Sequence, residues 1–354
     1  MIIQNKSTQT IAKYLIFCIV AIICNSILNG PKIYYIWDEV YYVPLIQDVI
    51  NNGLTVQNCI HYKGSAPGPG FQIIYGLIFK LTTLKFNIII LRLFNLAVYL
   101  IIPLSLFYHK NKIEENKIII AYLFLLCIPF NYVFMTIGIS DTLAMFFGSL
   151  SIRFLQQSKD NKHFFIGCLF VLLAALCRQT LLVLYLLPLI SIYNNRDLRI
   201  QRVIIMALST LPLLYLFWEW QGLMPIDTRR AGSGGYSIKN FVTHIKYLSF
   251  VYLLVAVFFH KWKDFSSFKL KNYFEDFILN KPVLMLLLIT PLKITHSYSS
   301  KYMGALIPFV LFYELKEVEL KKYHLIVVVI MASLGFYQIF NYYTHSRTGL
   351  IPNY

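Results

Sequence analysis

Long continuous runs of apolar residues dominate the chain, separated by short polar segments. Barrel strands would instead alternate apolar and polar positions over about ten residues, so the continuous runs predict helices. About eleven helices are predicted, near residues 11–29, 88–108, 117–135, 141–155, 163–177, 180–193, 203–221, 244–260, 282–295, 302–315 and 324–343. The shorter stretch 71–82 predicts an interfacial or re-entrant helix, with a further membrane span as the alternative.

Composition extends this pattern to the whole chain. Of 354 residues, 58% are hydrophobic and only 14% are charged. One soluble core could not bury so much apolar surface, so lipid is the expected surroundings. This excludes a soluble enzyme, a disordered protein and a secreted disulfide scaffold. Residues 1–354 contain no linker or repeat and predict a single membrane domain, in which the first apolar run is a retained helix rather than a signal peptide.

The net charge of +16 fits nucleic acid in principle, but Lys- and Arg-rich cytoplasmic loops are the simpler explanation, so no nucleic-acid partner is predicted. The distribution of these basic loops predicts a cytoplasmic N-terminus and a non-cytoplasmic C-terminus. The largest outer loop is then the first, about residues 30–87. The six cysteines have no metal-site spacing, and no P-loop or Rossmann glycine motif occurs.

Two adjacent acids, Asp38 and Glu39, begin this outer loop among the aromatic residues Trp37 and Tyr41. Acids close to a bilayer are costly, and a carboxylate beneath an aromatic roof can be tuned as a base. The alternative is a solvated pair that caps a helix. Further along the loop, Pro and Gly residues within 63–71 predict an ordered turn before the interfacial helix.

Other polar residues are predicted at the same face. Asp141 precedes the fourth helix, where it is a candidate N-cap or a neighbour of Asp38. Arg178 interrupts two apolar runs and would either extend to lipid headgroups or bind a phosphate. His296 and Lys301 lie in a later outer loop, where an ordinary solvated loop is the favoured interpretation.

These motifs together resemble superfamily C (GT-C) of membrane glycosyltransferases, and most closely the dolichyl-phosphate-glucose-dependent alpha-1,2-glucosyltransferase family. The resemblance runs from residue 30 to about 185, nearly half the chain. It is carried by residues 38–44 (Asp-Glu-Val-Tyr-Tyr-Val-Pro), 66–71 (Ala-Pro-Gly-Pro-Gly-Phe), 91–95 (Leu-Arg-Leu-Phe-Asn), Asp141 and 178–180 (Arg-Gln-Thr). The last motif is the most specific.

The resemblance implies a GT-C-like helical bundle with a structured first outer loop. It also implies an inverting, metal-independent transfer of a hexose, glucose first and mannose next, from a polyprenyl-phosphate carrier to a glycan or lipid-linked acceptor, without a cofactor. Asp38, or Glu39 next, would be the base. Arg178 would bind the donor phosphate with help from Gln179, and Asp141 would orient the acceptor or hold Arg178.

Trp37 and Tyr41 would supply a sugar-stacking surface, and His296 and Lys301 are weaker substrate contacts. A polytopic transporter or lipid flippase is the alternative, and a non-catalytic scaffold is a third. A transporter usually places its polar site at the bilayer midplane, whereas these residues gather at one face. The expected location is a bacterial inner membrane, or else the endoplasmic reticulum membrane, with a non-cytoplasmic site.

Overall fold

The protein is mostly helical. The computed structural model describes residues 15–24, 26–27, 39–62, 68–109, 112–113, 118–119, 121–122, 125, 131–132, 135, 137–156, 160–222, 238, 242 and 322–345. Its helices are α1 (Leu15–Cys24), α2 (Glu39–Asn52), α3 (Val56–Cys59), α4 (Gly70–Thr82), α5 (Ile88–Phe107), α6 (Ser140–Gln156), α7 (Asn161–Cys177), α8 (Leu186–Asn194), α9 (Arg199–Glu219) and α10 (Lys322–His345). A 3-10 helix, η1 (Gln179–Tyr185), joins α7 to α8, and two short antiparallel strands, β1 (Tyr108–His109) and β2 (Lys112–Ile113), follow α5.

The predicted helices agree with the described ones at most positions. The runs 88–108, 141–155 and 163–177 correspond to α5, α6 and α7, and the stretch 71–82 is α4. The run 180–193 begins as η1 and continues as α8. Only scattered residues of 117–135 are described, and the predicted helices 244–260, 282–295 and 302–315 lie outside the described residues.

Two of the described helices are long and apolar enough to cross a membrane. They are Ile88–Leu106 within α5, with 19 residues, and α9, with 21. Half of the α5 window is buried inside the protein, but only 22% of the α9 window is. The large apolar side chains that α9 leaves exposed are Ile200, Val203, Ile204, Leu208, Leu211, Leu214, Tyr215 and Trp218. Such a continuous apolar surface fits contact with lipid.

Several helices have their N-terminal ends on the same side of the protein. Helices α2 and α4 run parallel, because Tyr42 packs on Phe71 near their starts and Val49 packs against Gly76 further along. A Cβ on Gly76 would lie 2.5 Å from the Val49 side chain, so only glycine permits this approach. Helices α5 and α6 are parallel in the same way, with Asn95 of α5 bonded to Thr142 in the first turn of α6.

Helix α7 returns antiparallel to α6 and brings its C-terminal end to this same side. It begins at Asp160, whose carboxylate caps the helix by accepting a hydrogen bond from the backbone N–H of His163 (2.7 Å). It ends at Arg178, where the backbone becomes extended with φ −151° and ψ 108°. The N-terminal ends of α2, α4, α5 and α6 therefore meet the C-terminal end of α7.

Candidate functional site

The first residue of α2, Glu39, forms a buried ion pair with Arg92 of α5. Arg92 donates from Nε to Oε1 (2.9 Å) and from Nη2 to Oε2 (2.6 Å), which is a two-bond arginine–carboxylate geometry. The backbone N–H of Gly138 also donates to Oε1 (2.8 Å). Glu39 has no exposed surface and Arg92 only 3%. Both oxygens of Glu39 are therefore engaged, and the pair ties α2 to α5 and to the turn before α6.

Asn95 lies one helical turn after Arg92 on α5 and forms hydrogen bonds to the same segment before α6. Its amide Nδ2 donates to the carbonyl of Ile137 (2.6 Å) and to the hydroxyl of Thr142 (3.0 Å). Tyr75 of α4 reaches the other amide atom, Oδ1, at 3.5 Å. Arg92 and Asn95 thus hold the 137–142 segment in place, and this segment carries Asp141.

Arg178 forms the second buried ion pair, with Asp141. The guanidinium Nε lies 3.1 Å from Asp141 Oδ1, and Nη1 donates to the hydroxyl of Tyr42 (3.3 Å). Arg178 is 4% exposed and Asp141 is fully buried. Neither carboxylate oxygen of Asp141 makes a well-aligned hydrogen bond within the described part of the chain. This carboxylate is therefore close to a cation but incompletely satisfied.

Further buried polar atoms belong to the two residues that follow Arg178 in the chain and to Gln72 in the first turn of α4. Gln179 Nε2 and Thr180 Oγ1 have no hydrogen-bond partner among the described residues, and neither amide atom of Gln72 has one. Buried polar groups are normally satisfied, because an unmet donor or acceptor costs about 1–3 kcal/mol. Several together at one end of a helix cluster are a feature typical of a site that binds a polar ligand.

The structure brings together Glu39, Asp141, Arg178 and Gln179 of the predicted site. Ser140 starts α6, and its hydroxyl lies 3.4 Å from that of Tyr42, so the α2 and α6 starts are in contact. The second role predicted for Asp141, holding Arg178, agrees with the ion pair. Tyr41 is half-buried in the first turn of α2. Trp37, Asp38, His296 and Lys301 lie outside the described residues.

One alternative interpretation is wrong in part and a second is wrong. Glu39 is not solvated, because it is completely buried against Arg92, although it does lie in the first turn of a helix, α2, as that alternative predicted. Arg178 does not extend to lipid headgroups, because its guanidinium is buried against Asp141 and Tyr42. Arg92 and the backbone of Gly138 occupy both carboxylate oxygens of Glu39, so Asp38 stays the first candidate for the base.

Sequence reasoning missed Arg92 and Gln72 as members of this region. Each is a strongly polar residue inside an apolar helix, which is a signal in itself, since such residues are retained near lipid only with a partner or a function. The motif containing Arg92 was noted only for its resemblance to a family. Nothing in the local sequence of α5 indicates that its arginine reaches back 53 positions to Glu39.

The segment between α3 and α4 is also fastened to the end of α9. Trp220 donates from its indole Nε1 to the carbonyl of Ile60 (2.6 Å), and its ring packs edge-on against Tyr62, with centroids 6.1 Å apart. Burial in this contact raises the pKa of the Tyr62 hydroxyl well above its ordinary value. The hydroxyl therefore stays neutral, and the loop is an ordered part of the protein at this point.

Among the residues that the structure describes, no three His, Cys, Asp or Glu side chains are grouped closely enough to hold a metal ion. The charged groups that could interact with a ligand are instead Arg178 and Asp141, with the amides of Gln72 and Gln179 nearby. Comparisons with protein-family models, curated proteins and solved structures found no match.

Proposed function

We propose that this chain is a polytopic membrane glycosyltransferase that transfers a hexose from a polyprenyl-phosphate carrier to a glycan or lipid-linked acceptor. Glucose is the first candidate sugar and mannose the second. The observation that carries the proposal is the buried Arg178, held beside the incompletely satisfied Asp141 at the meeting point of several helix ends. The proposal includes a GT-C-like bundle of about eleven spans with this site on the non-cytoplasmic side.

The surroundings of Arg178 favour an anionic ligand. Helices α2, α4 and α6 all begin at this end, and helix N-termini carry partial positive charge and free backbone N–H groups. A guanidinium adds a full charge with a planar donor set that suits phosphate. One carboxylate, Asp141, offsets part of this charge, which fits a ligand that carries few charges, such as a phosphodiester.

The proposed reaction uses Asp38, just before α2, as the base. Asp38 is the residue immediately before Glu39, which Arg92 and Gly138 fix in position. As the acceptor oxygen attacks the anomeric carbon, Asp38 takes the proton of the acceptor hydroxyl. The bond from the anomeric carbon to the phosphate oxygen breaks, and the phosphate leaves with the electron pair. Arg178 stabilises the charge that develops on the departing phosphate.

The position of the polar groups also supports this function over transport. The two ion pairs lie at helix ends, whereas transporter sites usually lie at the bilayer midplane on interrupted helices. The site is built on α2, α5, α6 and α7, whose mutual packing leaves both arginines almost completely buried. A rigid site at one end suits a reaction between a carrier from the bilayer and an acceptor from water.

The test is hydrolysis of the donor, with water as a poor acceptor. Full-length protein in lipid nanodiscs would be given polyprenyl-phosphate-glucose or polyprenyl-phosphate-mannose, and released hexose measured. We expect slow hydrolysis of one donor, with Asp38→Asn lowering it by about 10²–10⁴-fold and Arg178→Ala by about 10²–10³-fold.

The matched control is Arg196→Ala, which removes an exposed arginine between α8 and α9 and should leave the rate unchanged. If the wild-type protein neither hydrolyses nor binds either donor, the proposal is wrong, and a transporter or lipid flippase becomes the better hypothesis. Equal loss in Arg178→Ala and Arg196→Ala would show that the arginine at the helix junction has no special role.

A further inference from the structure

Gln72 is the least explained buried residue near the candidate site. It lies in the first turn of α4 and has no exposed surface, yet neither its amide oxygen nor its amide nitrogen has a hydrogen-bond partner among the described residues. Because both atoms are unpartnered, turning the amide over would not satisfy it. Among the described residues, an apolar side chain of similar size would avoid the cost of burying an unmet amide.

The position of Gln72 on α4 lies between two close packing contacts. Four residues earlier, a Cβ on Gly68 would collide with the carbonyl oxygen of Leu176 at the end of α7. Four residues later, Gly76 packs against Val49 of α2. Gly68 precedes α4, but Gln72 and Gly76 both lie within this helix and share one face of it, so Gln72 stands on the face that α4 turns toward α2.

Arg178 is connected to this face through aromatic residues. The neighbour of Gln72, Phe71, packs on Tyr42 with ring centroids 5.2 Å apart. The hydroxyl of Tyr42 in turn accepts a hydrogen bond from Arg178. The first turn of α4 therefore borders the Arg178–Asp141 pair. If a ligand phosphate binds Arg178, the group attached to that phosphate would lie beside the first turn of α4.

Two more buried polar atoms without a partner among the described residues belong to Gln179 and Thr180, near Gly68. Gln179 Nε2 is 3.6 Å from the point that a Cβ on Gly68 would occupy, and Thr180 is the next residue. Gln179 Nε2 and Thr180 Oγ1 both lack a hydrogen-bond partner within the described part of the chain. With Gln72, the set offers donors and an acceptor together. A phosphate offers only acceptors, whereas a sugar hydroxyl is both donor and acceptor.

We infer that Gln72, together with Gln179 and Thr180, binds hydroxyl groups of the hexose on the carrier, beside the phosphate at Arg178. The inference rests on the proposed function and adds the residue that distinguishes a sugar-loaded carrier from a bare one. Ligand hydroxyls complete the hydrogen bonds that the fold leaves open. A ligand without them leaves the buried amide unmet, which is a strong basis for discrimination.

The test compares binding of two probes, polyprenyl phosphate and polyprenyl-phosphate-glucose, with polyprenyl-phosphate-mannose in a parallel arm. Full-length wild type, Gln72→Leu and Gln72→Met would be measured in nanodiscs, with Gln156→Leu as the control at the exposed far end of α6. We expect wild type to bind one sugar-loaded carrier more tightly than the bare carrier. The Gln72 variants should lose about tenfold for that sugar-loaded carrier and nothing for the bare one.

Thermal unfolding without ligand gives an independent readout. Both Gln72 variants should unfold at the wild-type temperature or above it, because they remove an unmet buried amide. A lower unfolding temperature, with equal losses for both probes, would mean that Gln72 has a structural role and would overturn the inference. Unchanged affinity of the variants for both probes would overturn it as well, while leaving the proposed function intact. Failure of wild type to bind any probe would instead refute the proposed function, and the inference with it.

Discussion

Two buried ion pairs lie at the same end of the helix cluster, and their carboxylates are satisfied to different degrees. Glu39 receives two hydrogen bonds from Arg92 and one from the backbone of Gly138. Asp141 has a single close contact with Arg178, and its oxygens make no well-aligned hydrogen bond among the described residues. Both acids are fully buried, so exposure to water does not account for the difference.

The difference separates a structural role from a binding role. A carboxylate whose lone pairs are occupied by fixed donors has little capacity left for a ligand or a proton, so Glu39 positions its neighbours. A carboxylate beside a cation but without aligned donors still has capacity for hydrogen bonds, so Asp141 can respond to a ligand. The first pair holds α2, α5 and the 137–142 turn together. The second pair lies where those elements meet the end of α7.

Breaking the first pair should have the largest effect on stability. Arg92→Ala removes both guanidinium hydrogen bonds from the buried carboxylate of Glu39. We expect a loss of about 3–5 kcal/mol in the free energy of unfolding, since removing one member of a buried pair strands the other charge. Thermal or denaturant unfolding of the full chain, followed by intrinsic fluorescence, measures this loss.

The control for this change is Arg196→Ala, which should stay within about 0.5 kcal/mol of wild type, as exposed substitutions usually do. The double variant Glu39→Leu/Arg92→Leu should lose less than the two single leucine variants added together, because no charge is stranded. Additive losses in this cycle would contradict the assignment of the pair as one structural unit.

Changing the second pair should affect stability less and ligand binding more. Asp141→Asn keeps the shape of the side chain but removes the negative charge beside Arg178. We expect a smaller stability loss than for Arg92→Ala, about 1–3 kcal/mol, because the asparagine carbonyl oxygen can still accept a hydrogen bond from the buried Arg178. Bare polyprenyl phosphate should bind the variant at least as tightly as wild type, since a like charge next to the ligand phosphate has been removed. Calorimetry or thermal-shift titration measures both quantities.

Glu39→Gln is the matched control for this binding prediction, because it removes the other buried carboxylate of the region. Its affinity for polyprenyl phosphate should not rise, since Glu39 is already neutralised by Arg92. Weaker carrier binding in Asp141→Asn than in wild type, without loss of folding, would show that Asp141 supports the site only by holding Arg178 in place. The two pairs would then not differ in the way their geometry indicates.

Much of the fold could be predicted from the sequence, because apolar runs identify helices without knowledge of their neighbours. The boundaries of α6 and α7 follow from local signals, namely the polar residues around Asp141, the capping residue Asp160 and the break at Arg178. The helix over 39–52 is harder to recognise from the sequence, because this stretch mixes aromatic and polar residues and resembles a loop.

The site was predictable only where one local position determined the chemistry. Arg178 stood out as a charge between apolar runs, and Asp141 as a polar residue at a helix start. The local sequence cannot distinguish the roles of Asp38 and Glu39, because both are acids beside aromatic residues. The structure directs Glu39 to Arg92, a partner on another helix. Periodicity cannot supply such pairings, which depend on how α2 and α5 pack.

The exposed pair of Asp160 and His163 lies at the opposite end of α7. We expect it to contribute less to stability than either buried pair. The pKa of Asp160 is lowered, first because its carboxylate accepts a hydrogen bond from the His163 backbone N–H and then because of the His163 side chain. A lowered pKa in the folded state means that this contribution to stability is fully present above the unfolded pKa, about 3.9 for Asp. It is lost as the pH falls through the lower folded value.

Asp160→Asn keeps a good capping residue without the charge, so we expect the smallest change of all, with unfolding temperatures slightly below wild type at pH 5. The two proteins should begin to converge below about pH 4 and converge fully once the pH is below the lowered folded pKa, where the folded wild-type carboxylate takes up its proton. A difference that persists unchanged at pH 2.5, measured by the same unfolding assay, would mean that the charge of Asp160 is not what strengthens the cap.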